Sequence, residues 1–139
     1  MTPGEADEWY QEQLRLAEDA SGRYWVIEVE GTLAGVAFLH SISDADRKAR
    51  FAVGMFAPEL LGRGLGSEAT RLVLDHAFGH MGLHRVDLRV LAFNEPAIAC
   101  YRSCGFVEEG RERESCQLDG VWHDDVIMGV LARQYSAHS

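Results

Sequence analysis

A chain of 139 residues, 47% apolar and 25% charged, is long enough for one globular domain with its own core and too short for two. No apolar run approaches the ~20 residues of a membrane-spanning helix, and the N-terminus has neither the basic start nor the apolar middle of a signal peptide; a cytoplasmic protein with no membrane partner is expected. The net charge of −9 argues against nucleic acid, which asks for a basic stripe, and suits a cationic small substrate or mere solubility.

Thr2-Pro3-Gly4-Glu5 reads as a helix start, with threonine as cap and proline in the first turn. That helix runs to about Asp19, before Ser21-Gly22. Tyr24 to Val29 is strand-like, Glu30-Gly31 is a turn, and Leu33 to Leu39 is the second arm of an antiparallel hairpin. Ser43 to Lys48 is a polar loop, and a third strand spans about Arg50 to Phe56. From Glu68 to Met81 the apolar positions Leu65, Ala69, Leu72, Val73, Ala77 and Met81 recur at helical spacing, and Gly82 ends the run. A strand, Arg85 to Val90, follows. The next helix has Asn94 as cap, Pro96 in its first turn and Gly105 as its stop, and it carries Ala97, Ile98, Tyr101 and Cys104. Phe106 to Leu118 and Val121 to Leu131 form a long hairpin closed by Asp119-Gly120, the clearest turn signal in the chain. The order α β β β α β α β β is a mixed α/β (α+β) layer in one domain over residues 1–139. Its sheet is mostly antiparallel and flanked by helices, with a strand, glycine loop and helix at the centre.

That central loop is Leu60-Leu61-Gly62-Arg63-Gly64-Leu65-Gly66-Ser67. Glycines let backbone N–H groups converge, and the helix beginning there adds unpaired N–H groups and a partial positive charge. The result is a cradle for a phosphate or pyrophosphate. The plainer alternative is a tight strand-to-helix turn. Gly64 to Ala69 also satisfies G-x-G-x-x-A, with Asp87 about twenty residues on as a dinucleotide fingerprint would ask. Against that reading, Asp87 falls inside a strand and the sheet is not doubly wound. Cys100, Cys104 and Cys116 lack zinc spacing; they read as packed free thiols, and no metal is expected.

Taken together, Gly62-Arg63-Gly64-Leu65-Gly66, Asn94-Glu95-Pro96-Ala97 and Tyr101-Arg102-Ser103-Cys104-Gly105-Phe106 closely resemble the GNAT family of N-acetyltransferases. Val107 to Arg111 and Trp122 to Met128 resemble its branch acting on ribosomal-protein N-termini and polyamines. The resemblance covers roughly residues 5–131 and implies acetyl-CoA as cosubstrate. It implies that backbone groups of Gly62, Arg63, Gly64, Leu65, Gly66 and Ser67 take the pyrophosphate, with Leu61 where the family usually has a polar residue. It also implies that the strand end Met55-Phe56-Ala57 splays from Leu88 to Leu91, leaving a slot in which the pantetheine arm pairs like an added strand. Asn94 and Ala97 then fall on the cofactor side, and Tyr101 matches the tyrosine that protonates the departing thiolate. Family members open with a strand and helix that this sequence does not supply, so a sheet edge is exposed. A homodimer covering that edge is expected.

The family's usual glutamate base corresponds here to Ala52, which has no carboxylate. Glu28, Glu30, His40, Glu59 and His123 with Asp124 are the alternatives, and His40 and His123 rank first because imidazole titrates near neutral pH. Glu108, Glu109, Glu112 and Glu114, interleaved with Arg111 and Arg113, read as a solvated edge with cross-strand pairs. They could also line a polycation site. The expected activity is direct acetyl transfer to a primary amine: a protein N-terminus first, then a polyamine, aminoglycoside or amino sugar. The alternatives are a non-catalytic acyl-CoA-binding or dimerising module and a small NAD-binding protein.

Overall fold

The computed structural model describes residues 22–55 and 64–135. The helix expected between Thr2 and Asp19 lies outside them, as do Phe56, Ala57, Glu59, Leu61, Gly62 and Arg63. The described chain runs β1 (Arg23–Val29), β2 (Thr32–Ser43), β3 (Lys48–Met55), α1 (Leu65–Gly79), β4 (Arg85–Leu91), α2 (Glu95–Ser103), β5 (Val107–Leu118), β6 (Val121–Leu131) and a 3-10 turn, Ala132–Gln134. The strands make one six-stranded sheet in the order β1-β2-β3-β4-β6-β5. Every neighbouring pair is antiparallel except β3 and β4. This is the mixed layer expected from the sequence.

Both hairpins close as their turn residues dictate. Glu30 and Gly31 (φ 51° and 81°) and Asp119 and Gly120 (φ 51° and 77°) all take positive φ, the requirement of the turn whose twist matches two paired strands. Two boundaries differ from expectation. β2 continues past Leu39 to Ser43, because Ser41 (φ 55°) forms a bulge that brings Ser43 opposite Lys48. α1 begins at Leu65, ahead of Glu68, since Gly64 (φ 74°) can turn left-handed directly before it.

The side of α1 that packs also differs. Ala69, Thr70, Val73, Leu74 and Ala77 are buried, whereas Leu72 is 59% exposed. The buried stripe is rotated by part of a turn from the expected one. It accommodates Thr70 because the hydroxyl donates to Gly66 O at 2.7 Å. Against this stripe and α2 lie Leu39, Phe51, Leu88, Phe106 and Met128, in one continuous core. Alternation along the strands turns Arg50, Ala52, Arg85, Asp87 and Arg89 to the opposite face. That face is ion-paired: Arg50 to Asp87 at 3.1 Å, Arg85 to Glu109 at 2.6 Å and Arg89 to Glu112 at 2.5 Å. The glutamates of β5 that take part are therefore cross-strand partners on an edge strand, the plainer of their two readings.

Candidate functional site

The parallel pair is short. β3 and β4 are in register only at Lys48 with Arg85, Ala49 with Val86 and Arg50 with Asp87. Beyond that point β3 stays paired to β2 as far as Met55 opposite Gly35, and β4 stays paired to β6 as far as Leu91 opposite Asp125. Two strands that keep their outer partners and lose each other must diverge. The sheet opens into a V whose vertex is the Arg50–Asp87 ion pair, and its inner rims, Phe51 to Met55 and Leu88 to Leu91, carry backbone groups able to pair with an extended ligand.

At the wide end of the V stands the N-terminus of α1. Glu68 N–H closes the first helical bond on Gly64 O at 3.1 Å, so the N–H groups of Leu65, Gly66 and Ser67 have no intrahelical acceptor. Three donors and a helix dipole directed at one point form an anion site. Of the expected cradle, Gly64, Leu65, Gly66 and Ser67 are among the described residues, at or next to the start of α1. Met55 is at the rim by its backbone pairing.

α2 lies beside this opening. Asn94 caps it, Oδ1 accepting from Ala97 N at 3.3 Å. The Asn94 amide NH2 stays available to a ligand, whereas the Ala97 N–H is already in use and Ala97 offers only its methyl group. Tyr101, two turns on, packs its ring edge-on to Phe51 and Phe106, at centroid distances of 6.3 and 5.9 Å. Its phenol is pushed well above the usual tyrosine range, by burial first and then by the neighbouring thiols of Cys100 and Cys104. It is therefore a neutral O–H across the physiological range, a proton donor and not a base. No described residue hydrogen-bonds its Oη.

The histidines are not together. His40, buried at 4% exposure, is opposite Arg50 at the vertex, on the sheet face away from Tyr101, with Nδ1 2.9 Å from Ser41 Oγ. His123 stands on β6 beyond the other end of β4, edge-on to Phe93 at 4.8 Å. Of the carboxylates, Asp124 is held below the usual range by the Glu114 N–H and by Arg111, and Glu30 sits in the tight turn after β1. Glu28 lines a cleft of about 300 Å³ between β1 and α1, together with Trp25, Leu65 and Glu68. Sequence reasoning missed this cleft, the vertex ion pair, and the contact that ties the two helices: Ser67 Oγ to Cys100 Sγ at 3.1 Å. Only the last left a trace, the i, i+4 spacing of Cys100 and Cys104.

The family model described as "Acetyltransferase (GNAT) domain" matches residues 1–107. The chain belongs to the GNAT acetyltransferases. Spermidine N(1)-acetyltransferase of Escherichia coli is 34% identical over 119 residues, covering 86% of this chain and 63% of the relative. The Vibrio cholerae enzyme of that name is 31% identical over 131 residues, with 94% and 74% covered. A putative ribosomal N-acetyltransferase, YdaF of Bacillus subtilis, is 32% identical over 106 residues, covering 76% of this chain and 57% of the relative. The crystal structure of the Vibrio cholerae spermidine N-acetyltransferase in complex with CoA and spermine superposes with a TM-score of 0.79 at 31% identity, over 93% of this chain and 76% of that one. The chain thus spans a little under two thirds of the Escherichia coli relative's length.

The dinucleotide alternative fails on geometry. Asp87 is bound to Arg50 at 3.1 Å and to Arg85 at 3.4 Å, inside a strand and not at the strand end where the fingerprint needs its carboxylate.

Proposed function

We propose that this GNAT chain is an acetyl-CoA-dependent N-acetyltransferase acting on a primary amine of a polyamine. The observation that carries the reading is the divergence of β3 and β4 beyond Arg50 and Asp87, with Tyr101 alongside it. The acceptor class is supported by the named activity of the spermidine acetyltransferases it resembles and by its own net charge of −9, which attracts cations. A protein N-terminal amine, an aminoglycoside or an amino sugar stand behind it.

When bound, acetyl-CoA supplies an acetyl group activated as a thioester. The backbone of Gly64 to Ser67 holds its phosphates, Met55 and the strand rims hold its arm, and Asn94 contributes the amide NH2. Tyr101 Oη delivers the proton required where sulfur departs. The acceptor approaches from the opposite face of the sheet, where His40 Nε2 takes its proton, either directly or through water. His123, at the wide end, is the weaker base candidate. The reaction belongs to the cytoplasm, where acetyl-CoA and polyamines meet. A second copy of the chain covers the outer edge of β1, which has no partner strand among the described residues; light scattering after gel filtration should then give twice the monomer mass of 15.5 kDa.

Calorimetric titration with acetyl-CoA, CoA and NAD, followed by thiol release over a panel of amines, tests the reading. Tyr101→Phe should bind acetyl-CoA as tightly as the wild type yet turn over roughly 10²- to 10⁴-fold more slowly. His40→Gln should remove the acidic limb of the pH–rate profile and His123→Gln should leave it. Binding without amine-dependent thiol release would favour the non-catalytic module, to which the methyl group at Ala52 already points. Absence of CoA binding would refute the assignment.

A further inference from the structure

The acyl-CoA cradle lies at the N-terminus of α1, and the other end of that helix carries a pair of side chains that the transfer does not use. His76, in the last turn, and His80, the C-cap, are four residues apart, the spacing that puts two side chains on one helix face. Their rings are stacked, with centroids 5.2 Å apart and planes inclined at 28°. His76 also meets Trp25 of β1 edge-on at 5.4 Å, so it is backed by the sheet, whereas His80 is exposed. Neither imidazole hydrogen-bonds a described residue. The nitrogens of both rings therefore remain available to a ligand from outside the chain.

We propose that His76 and His80 form a binding site for a divalent transition-metal ion of the Cu²⁺, Ni²⁺ and Zn²⁺ class, each imidazole giving one nitrogen and water completing the coordination shell. Two histidines one helical turn apart are the chelating element of helix-borne zinc sites. Metal–nitrogen bonds of about 2.0–2.1 Å place the two donor nitrogens no more than about 4 Å apart. Rings centred 5.2 Å apart meet that limit when the exposed His80 ring turns a nitrogen toward His76. Imidazole selects these ions over Mg²⁺ and Ca²⁺, which take oxygen ligands. The place suits a cation as well, because the C-terminal end of a helix carries partial negative charge. Among the described residues no third histidine, cysteine or carboxylate joins the pair, so the ion is held at an open site and exchanges with the medium. The cysteine spacing gave no reason to expect a metal; the histidine spacing does. At 1.5 Å per residue, His76 is roughly 16 Å along α1 from Leu65. Occupation therefore leaves the cradle open, and the inference does not depend on the acyl-CoA reading.

The test titrates the whole protein, stripped of metal by a chelator, with Ni²⁺, a probe that does not oxidise the free thiols. Calorimetry reads stoichiometry and affinity. Tryptophan emission reads the place, because a paramagnetic ion on His76 quenches the indole of Trp25 beside it. The expected result is one Ni²⁺ per chain, with quenching that follows the calorimetric isotherm. Trp25→Phe should keep the binding and lose most of the quenching. His80→Gln, at an exposed position, should fold as the wild type does and weaken binding at least about tenfold, since two joined ligands hold an ion far better than one. His84→Gln should leave the affinity unchanged, and Ca²⁺ should produce neither heat nor quenching. Undiminished binding in His80→Gln, or an equal loss in His84→Gln, would mean adventitious capture by scattered side chains and would overturn the proposal. Binding that leaves Trp25 emission untouched, or no binding at all, would overturn it too.

Discussion

At Gly129 the sheet leaves room for two side chains that belong to other strands. A Cβ there would stand 2.6 Å from Glu109 Oε2 and 2.7 Å from Arg85 Nη1, so the Arg85–Glu109 pair lies directly over the glycine backbone. Both atoms end flexible side chains, and the pair is partly exposed, at 26% and 36%. Gly129→Ala should therefore cost only what the pair contributes, on the order of 1 kcal/mol or less, as read from urea denaturation, and Glu109→Gln should already have removed most of that cost. The same pair gives a pH dependence. The hydrogen bond from Arg85 holds the Glu109 carboxyl below the ordinary glutamate range, so the folded protein binds this proton more weakly than the unfolded chain. The contribution is then present above about pH 4.3 and lost as pH falls through the lower folded value. Wild type should lose stability over that interval faster than Glu109→Gln, and equal slopes would show that the pair contributes nothing.

Along α1, two leucines on either side of Val73 test how the helix is seated. Leu74 is fully buried, at 0% exposure, and Leu72 is 59% exposed. Leu74→Ala should cost about 2–5 kcal/mol and Leu72→Ala under about 0.5 kcal/mol, measured by thermal or urea unfolding. The sequence suggested the reverse emphasis, since Leu72 fitted an apolar stripe and Leu74 did not. Periodicity reports an angle around the helix axis only to within part of a turn, and Thr70 disguised the true stripe by being polar while hydrogen-bonded to Gly66. Elements with a chemical signature at their ends were easier to read. Asp119-Gly120 and Glu30-Gly31 announced their hairpins because positive φ at two successive residues selects those residue types, and Asn94 announced α2 through its cap. The Ser41 bulge had no such signal, for serine is common in loops and rare at φ 55°. In the candidate site, Gly64 to Ser67, Asn94 and Tyr101 were legible as a motif. The vertex at Arg50 and Asp87 was not, because a register between strands separated by a helix is set by the core and not by either strand's own pattern.

The molecule as a whole is a sheet with an incomplete seam. Everything that joins β1-β2-β3 to β4-β6-β5 within the sheet is the short parallel register from Lys48 to Arg50, reinforced by the Arg50–Asp87 ion pair. A ligand that binds only the folded chain stabilises it by about 2.7 kcal/mol at a hundredfold excess over Kd, so acetyl-CoA should raise the melting temperature and NAD should not. The seam also leaves backbone unpaired. Beyond the three parallel residue pairs both rims lack a partner strand, while one core shared by β2, β3, β4 and β6 holds the two halves together. Amides pointing inward between Phe51 and Met55 and between Leu88 and Leu91 should exchange with deuterium far faster than their outward neighbours. A bound pantetheine arm should slow exchange on both rims at once, because it serves as the strand that the polypeptide itself leaves out.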